Sequence, residues 1–130
     1  MAVIYGIGND LLRIERMERA LQRHGERLPQ RILHAQEMER YVLSKRKANF
    51  LAKSFAVKEA TVKALGLGFR GIAPIDVGWT QDALGKPLLL ASERCQALFD
   101  ERHIVASHVT LTDEAGLVMA VVILEMLSPA

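Results

Sequence analysis

The sequence predicts an α+β domain in which helices pack on an antiparallel sheet, and two features carry that prediction. Helical periodicity dominates the middle of the chain, whereas the C-terminal half reads as short strands separated by turn residues. The last two strands, residues 105–112 and 117–125, flank Asp113-Glu-Ala-Gly116, a hairpin signal. Helices and strands are thus segregated along the chain, which argues against a doubly wound α/β fold. The 130 residues fit one domain, 1–130, and 50% of them are hydrophobic. That suffices for a core, but a modest one at this size, so association of copies would bury more.

In chain order, residues 3–7 form a short apolar strand that runs into a turn, Gly6-Ile-Gly-Asn-Asp10. Residues 11–24 have helical periodicity, and Gly25 stops it. Residues 31–33 are short and ambiguous. Residues 36–43 and 47–65 read as two further helices, the longer one ended by Gly66, after which a loop runs to Pro74. Residues 75–80 and 88–90 are strands on either side of the turn Asp82-Ala-Leu-Gly-Lys-Pro87. Ser92 is placed to cap a helix that reaches about Arg102.

Composition excludes several classes. Cys95 is the only cysteine, so neither a disulfide framework nor a cysteine metal site is available, which suits a reducing, cytoplasmic setting. No signal peptide and no membrane span is evident. A net charge of +2 and a pI of about 8.9 are too mild to imply nucleic acid. The aromatic content of 5% argues against base-stacking platforms.

The chemistry-bearing residues cluster in Phe55-Ala-Val-Lys-Glu-Ala-Thr-Val-Lys-Ala-Leu-Gly66. Glu59 and Lys63 are spaced i,i+4, so they share a helix face about 5–6 Å apart at Cβ. Glu59 with Asp10, phosphate oxygens and waters could complete the oxygen shell of Mg²⁺. Taken alone, the same residues read more readily as a helix cap (Asp10) and a surface ion pair (Glu59 with Lys63). Strand alternation puts His108 with Thr110 and Thr112 on one face, opposite Val105, Ser107, Val109 and Leu111. That polar face suits either a site wall or a solvated sheet surface. The other three histidines show no such pattern.

Lys45-Arg46-Lys47 enters the long helix and reads as a solvated charge run or as a phosphate dock. Gly66-Leu-Gly68 follows a helix instead of preceding one, so it is no P-loop. It reads as a C-cap or as a phosphate cradle. Arg13, Arg16, Arg19, Arg23 and Arg27 recur at spacings of three and four. They fall within roughly a 120° arc at about 100° per residue, provided the first helix reaches Arg27. The row is either a solvated face or a dock for an acidic partner.

Together these pieces resemble one family, the holo-[acyl-carrier-protein] synthases, small bacterial 4′-phosphopantetheinyl transferases. The residues that carry the resemblance are Tyr5-Gly-Ile-Gly-Asn-Asp-Leu11, Arg31-Ile-Leu33, Asn49-Phe-Leu-Ala52, Phe55-Ala-Val-Lys-Glu-Ala60, Lys63-Ala-Leu-Gly66, Leu84-Gly-Lys-Pro87 and His108-Val-Thr-Leu111. The most specific part is a G-x-D turn followed by F-x-x-K-E-x-x-x-K.

The resemblance implies an α+β fold, a trimer with active sites at subunit interfaces, and transfer of 4′-phosphopantetheine from coenzyme A to a serine of apo-acyl carrier protein. Adenosine 3′,5′-bisphosphate would be released, as part of fatty acid biosynthesis. It further implies that Asp10 and Glu59 bind Mg²⁺, with Glu59 as the general base and Asp10 as the second candidate. Lys63 would neutralise the leaving phosphate. Lys45, Arg46, Gly66 and His108 would contact the coenzyme A nucleotide, and Arg16, Arg23 and Arg27 the acidic carrier helix. Two positions depart from the family's pattern, Ser54 for arginine and Leu67 for threonine, and both are expected near the coenzyme A phosphates. A nucleic-acid-binding module and a non-catalytic oligomeric protein that holds an acidic partner are the competing readings of the arginine row.

Overall fold

Two glycines determine how the first strand meets the long helix. In the computed structural model, which describes residues 1–128, strand β1 (Ala2–Arg13) lies against helix α4 (Lys47–Leu65). A Cβ on Gly6 would sit 1.9 Å from the Ala64 carbonyl oxygen, and one on Gly8 1.9 Å from that of Ala60. Only glycine permits this approach, and the partners Ala60 and Ala64 are small for the same reason.

Between β1 and α4 come three shorter helices, α1 (Ile14–His24), α2 (Arg27–Ile32) and α3 (Ala35–Leu43). After α4, a 3₁₀ turn (Pro74–Asp76) leads into the hairpin β2 (Val77–Gln81) and β3 (Pro87–Ala91), then α5 (Glu93–Glu101), β4 (Ile104–Glu114) and β5 (Leu117–Leu127). The strands form two antiparallel sheets, one in the order β1-β5-β4 and the other β2-β3. The inner face of the larger sheet, with Val118, Ala120, Val122 and Leu124, is fully buried against α4. Its outer face leaves Ile4, Ile7 and Leu11 more than half exposed.

The helix α4 is buried on nearly every side, and each polar residue it carries inward has a partner. Asn49 donates to Asp113, the Ser54 hydroxyl accepts from the Trp79 indole, and Thr61 donates to the Val57 carbonyl. Lys58, wholly buried, donates to the Glu37 carboxylate and the Val77 carbonyl. Buried ion pairs of this kind hold only when every group is satisfied. Glu37 meets that condition by also accepting from the backbone N–H groups of His34 and Trp79.

Several sequence expectations are corrected. The Gly6–Asp10 segment is not a turn; β1 continues through it to Arg13, because β5 supplies hydrogen-bond partners as far as Leu117. The first helix therefore starts at Ile14, leaving Arg13 on the strand. It ends before Gly25, and Arg27 belongs to α2, a helix that also absorbs the ambiguous residues 31–32. Ile75 lies in the 3₁₀ turn instead of a strand. In β4 a bulge between Ile104 and Ala106 turns Val105 outward, while Val109 stays inward as the alternation required. Ser92 does cap α5, accepting from the Cys95 N–H.

Candidate active site

The β1–α4 contact brings the three central candidates together. Asp10 lies two residues beyond Gly8 and so faces the same side, toward α4. Its Oδ1 is 3.5 Å from the Lys63 Nζ. Glu59, on the same helix, senses both groups. Burial and the nearby Asp10 charge hold its carboxyl above the usual glutamate range, and Lys63 partly offsets them. The sequence pairs Lys63 with Glu59 along the helix; the structure has it reaching across to the strand.

This donor set fits a divalent cation. Two partly buried carboxylates that repel each other, beside a single ammonium, would gain from a hard ion completed by phosphate oxygens and water. Among the described residues no cluster of three or more His, Cys, Asp or Glu side chains offers a self-contained metal site. The remaining ligands of such an ion would have to come from outside the protein, as substrate phosphates commonly supply them to Mg²⁺.

The other nucleotide candidates separate. Lys45 and Arg46 line a cleft of about 370 Å³ together with Arg40, Asn49, Lys53 and Trp79. Lys47 leaves the basic run to cap α3, donating to the carbonyls of Tyr41, Val42 and Ser44. Gly66 is a left-handed C-cap whose N–H is bonded to the Val62 and Lys63 carbonyls, which leaves that N–H unavailable to a phosphate. His108 lies on the outer face of the sheet, 2.7 Å from the Glu125 carboxylate. The sheet therefore separates it from Asp10 and Glu59 within one chain.

Ser54 has no surface of its own to offer a phosphate. It is fully buried beneath the Trp79 indole, 3.0 Å from Nε1, and touches no solvent. Leu67 is partly buried and packs against the core. Both departures from the family's pattern are thus absorbed into packing.

Arg16 and Arg23 are exposed on α1, and Arg27 on α2. Arg19 is tied to Glu15, whereas among the described residues no carboxylate lies within 4.0 Å of Arg16, Arg23 or Arg27. Sequence reasoning missed Glu37, Arg40 and Trp79. The signal for Glu37 was present: His34 and Glu37 stand three apart and close a capping box at the start of α3. Nothing in the sequence places Arg40 on Trp79. Cys95 is inert, its thiol pushed up to about 12 chiefly by burial.

The family model described as the 4′-phosphopantetheinyl transferase superfamily matches residues 6–122, and the chain belongs to that superfamily. Among curated relatives, the holo-[acyl-carrier-protein] synthase of Vibrio cholerae serotype O1 is 44% identical over 124 residues, covering 95% of this chain and 98% of the relative. The crystal structure of the Neisseria meningitidis holo-[acyl-carrier-protein] synthase superposes with a TM-score of 0.91 at 34% identity, covering 94% of this chain and 98% of the other. The Helicobacter pylori holo-[acyl-carrier-protein] synthase, solved in complex with coenzyme A, superposes with a TM-score of 0.78 at 29% identity over 91% and 98% of the two chains.

Proposed function

We propose that the chain, as one domain over residues 1–130, transfers the 4′-phosphopantetheine group of coenzyme A to a serine hydroxyl of apo-acyl carrier protein. Adenosine 3′,5′-bisphosphate is the second product, Mg²⁺ is required, and the reaction serves fatty acid biosynthesis in the cytoplasm. The observation that carries this reading is the convergence of Asp10, Glu59 and Lys63 at the β1–α4 contact. Coenzyme A in the Helicobacter pylori relative supports the choice of donor. No helix is long and apolar enough to cross a membrane among the described residues.

The reaction breaks one P–O bond of the pyrophosphate and forms another. The serine Oγ attacks the phosphorus that bears pantetheine, and the leaving group is the phosphate of adenosine 3′,5′-bisphosphate. Glu59 receives the serine proton, a role that its raised pKa suits; Asp10 is the second candidate. Asp10 and Glu59 would hold Mg²⁺, which when bound supplies charge neutralisation to the pyrophosphate oxygens. Lys63 stabilises the charge on the departing phosphate. Lys45 and Arg46 attract the nucleotide end, and Gly66 turns the chain beside Lys63 so that the backbone of the following loop passes near the phosphates. Arg16, Arg23 and Arg27 receive the acidic carrier helix.

A trimer is part of the proposal. Its support is the outer sheet face, where Ile4, Ile7 and Leu11 stand more than half exposed. His108 sits on that same face, so association through it would bring one chain's His108 toward a neighbour's cleft.

The test is intact mass spectrometry of the carrier. Incubation with apo-acyl carrier protein, coenzyme A and Mg²⁺ adds one phosphopantetheine, and a chelator blocks the gain. An unchanged carrier mass returns the arginine row to the competing, non-catalytic readings.

A further inference from the structure

Arg40 is the most firmly held cation of the basic cleft. Its guanidinium lies over the Trp79 ring, 4.3 Å from the centroid, and 5.1 Å from that of Phe50. Nη1 donates to the Trp79 carbonyl oxygen at 2.9 Å. Trp79 is itself fixed from two other directions, its indole N–H donating to Ser54 Oγ at 3.0 Å and its backbone N–H to Glu37 at 3.2 Å. The plane that carries Arg40 is therefore rigid, and the guanidinium is oriented before any ligand arrives.

Its charge is also unanswered. Glu37, whose charge Arg40 senses, is paired with Lys58, and among the described residues no carboxylate lies within 4.0 Å of Arg40. Of the five N–H donors of a guanidinium, one has a protein partner. Arg40, Lys45, Arg46 and Lys53 line the cleft, and no carboxylate does. Lys45 and Arg46 are exposed and free to move, so they add attraction more than orientation.

The cleft lies away from the carboxylate pair. Its α4 residues, Asn49, Phe50 and Lys53, precede Glu59 by six to ten positions, or roughly 9–15 Å along the axis. Coenzyme A carries two separate anionic groups, the pyrophosphate and the 3′-phosphate monoester. The pyrophosphate contains the bond to be broken and belongs beside Asp10, Glu59 and Lys63. The cleft is left with the monoester, a dianion that suits a guanidinium fork.

We propose that Arg40 is the specificity residue that reads the 3′-phosphate of coenzyme A, held for that contact by the Trp79–Ser54 hydrogen bond. The assignment rests on the coenzyme A reading above. Ser54, which cannot touch a phosphate itself, then acts as a positioning residue through the indole that supports Arg40.

Isothermal titration with coenzyme A and 3′-dephospho-coenzyme A tests this. The wild type should prefer coenzyme A by roughly 10- to 100-fold, the range expected for hydrogen bonds to a charged group. Arg40→Met, which can still pack on Trp79 and Phe50, should lose most of that preference while its affinity for dephospho-coenzyme A stays unchanged. Arg40→Lys keeps the charge without the fork and should fall between them, and it decides the matter should Arg40→Met fail to fold. Full preference in the variants, or equal weakening of both ligands, overturns the role of Arg40 alone. A wild type that binds neither ligand overturns the coenzyme A reading beneath it.

Discussion

Lys63 Nζ stands 3.5 Å from Asp10 Oδ1, so the lysine of the long helix is paired with the first strand and not with the glutamate one turn before it. The pair joins the two elements that carry the site, and Lys63 remains half exposed. Lys63→Met should therefore leave the fold intact and lower kcat by roughly 10²–10³-fold, as removal of a donor to developing charge does elsewhere. Pre-steady-state mixing with saturating coenzyme A and carrier measures this. A rise in KM with kcat unchanged would mean that Lys63 binds substrate without acting on the leaving phosphate.

Glu59 makes opposite demands on stability and activity. Its folded-state pKa is raised, first by burial and then by Asp10. The protein consequently binds this proton more tightly folded than unfolded. Stability from the protonated carboxyl is full below the unfolded value and is lost as pH rises through the folded one. Glu59→Gln should then melt higher than the wild type near pH 7, with the gap closing in acid, while its transfer rate falls by roughly 10²–10⁴-fold. Thermal melts of both proteins from pH 4 to 8 check the first half, and a lower melting point for the variant at neutral pH would contradict it.

Gly8 is where a single methyl group would separate strand from helix. A Cβ there would lie 1.9 Å from backbone, which cannot swing away as a side chain can. Gly8→Ala should cost at least about 1–3 kcal/mol of stability, the usual range for overpacking, and should lower transfer by moving Asp10 away from Glu59. Chemical denaturation and the transfer assay measure both effects. Loss of stability with unchanged activity would show that the site tolerates a looser β1–α4 contact.

Much of this arrangement is legible in the sequence, and the parts that are not share a physical cause. The long helix, its glycine stop, the β4–β5 hairpin and the inward side of Val109 follow from local periodicity, which neighbouring residues determine. Gly6-Ile-Gly8 reads as a turn because glycine pairs usually mark one. Here they mark a strand whose missing side chains admit a helix more than fifty residues away in sequence. The same limit hides the partner of Lys58, which is buried against Glu37 twenty-one residues earlier. Ser54 and Arg40 owe their roles to Trp79, and no local pattern connects the three.

Arg16 and Arg23 lack carboxylate partners among the described residues, whereas Arg19 is held by Glu15. Charge reversal at Arg16 should accordingly raise KM for the carrier by about tenfold and leave KM for coenzyme A near its original value. Arg19→Glu should do less, since Glu15 already offsets that charge. Steady-state kinetics with each substrate varied in turn separates the cases. Equal changes in both KM values would remove α1 from the docking surface.

Through its two glycines the contact of β1 with α4 brings Asp10 and Glu59 near enough to serve as one proposed metal site. The most direct measurement is a titration of the protein with Mn²⁺ in the presence of coenzyme A, following free Mn²⁺ by electron paramagnetic resonance. One ion per chain should bind to the wild type, and Asp10→Asn and Glu59→Gln should each weaken that binding sharply. Undiminished binding in either variant would contradict a site shared by the two carboxylates.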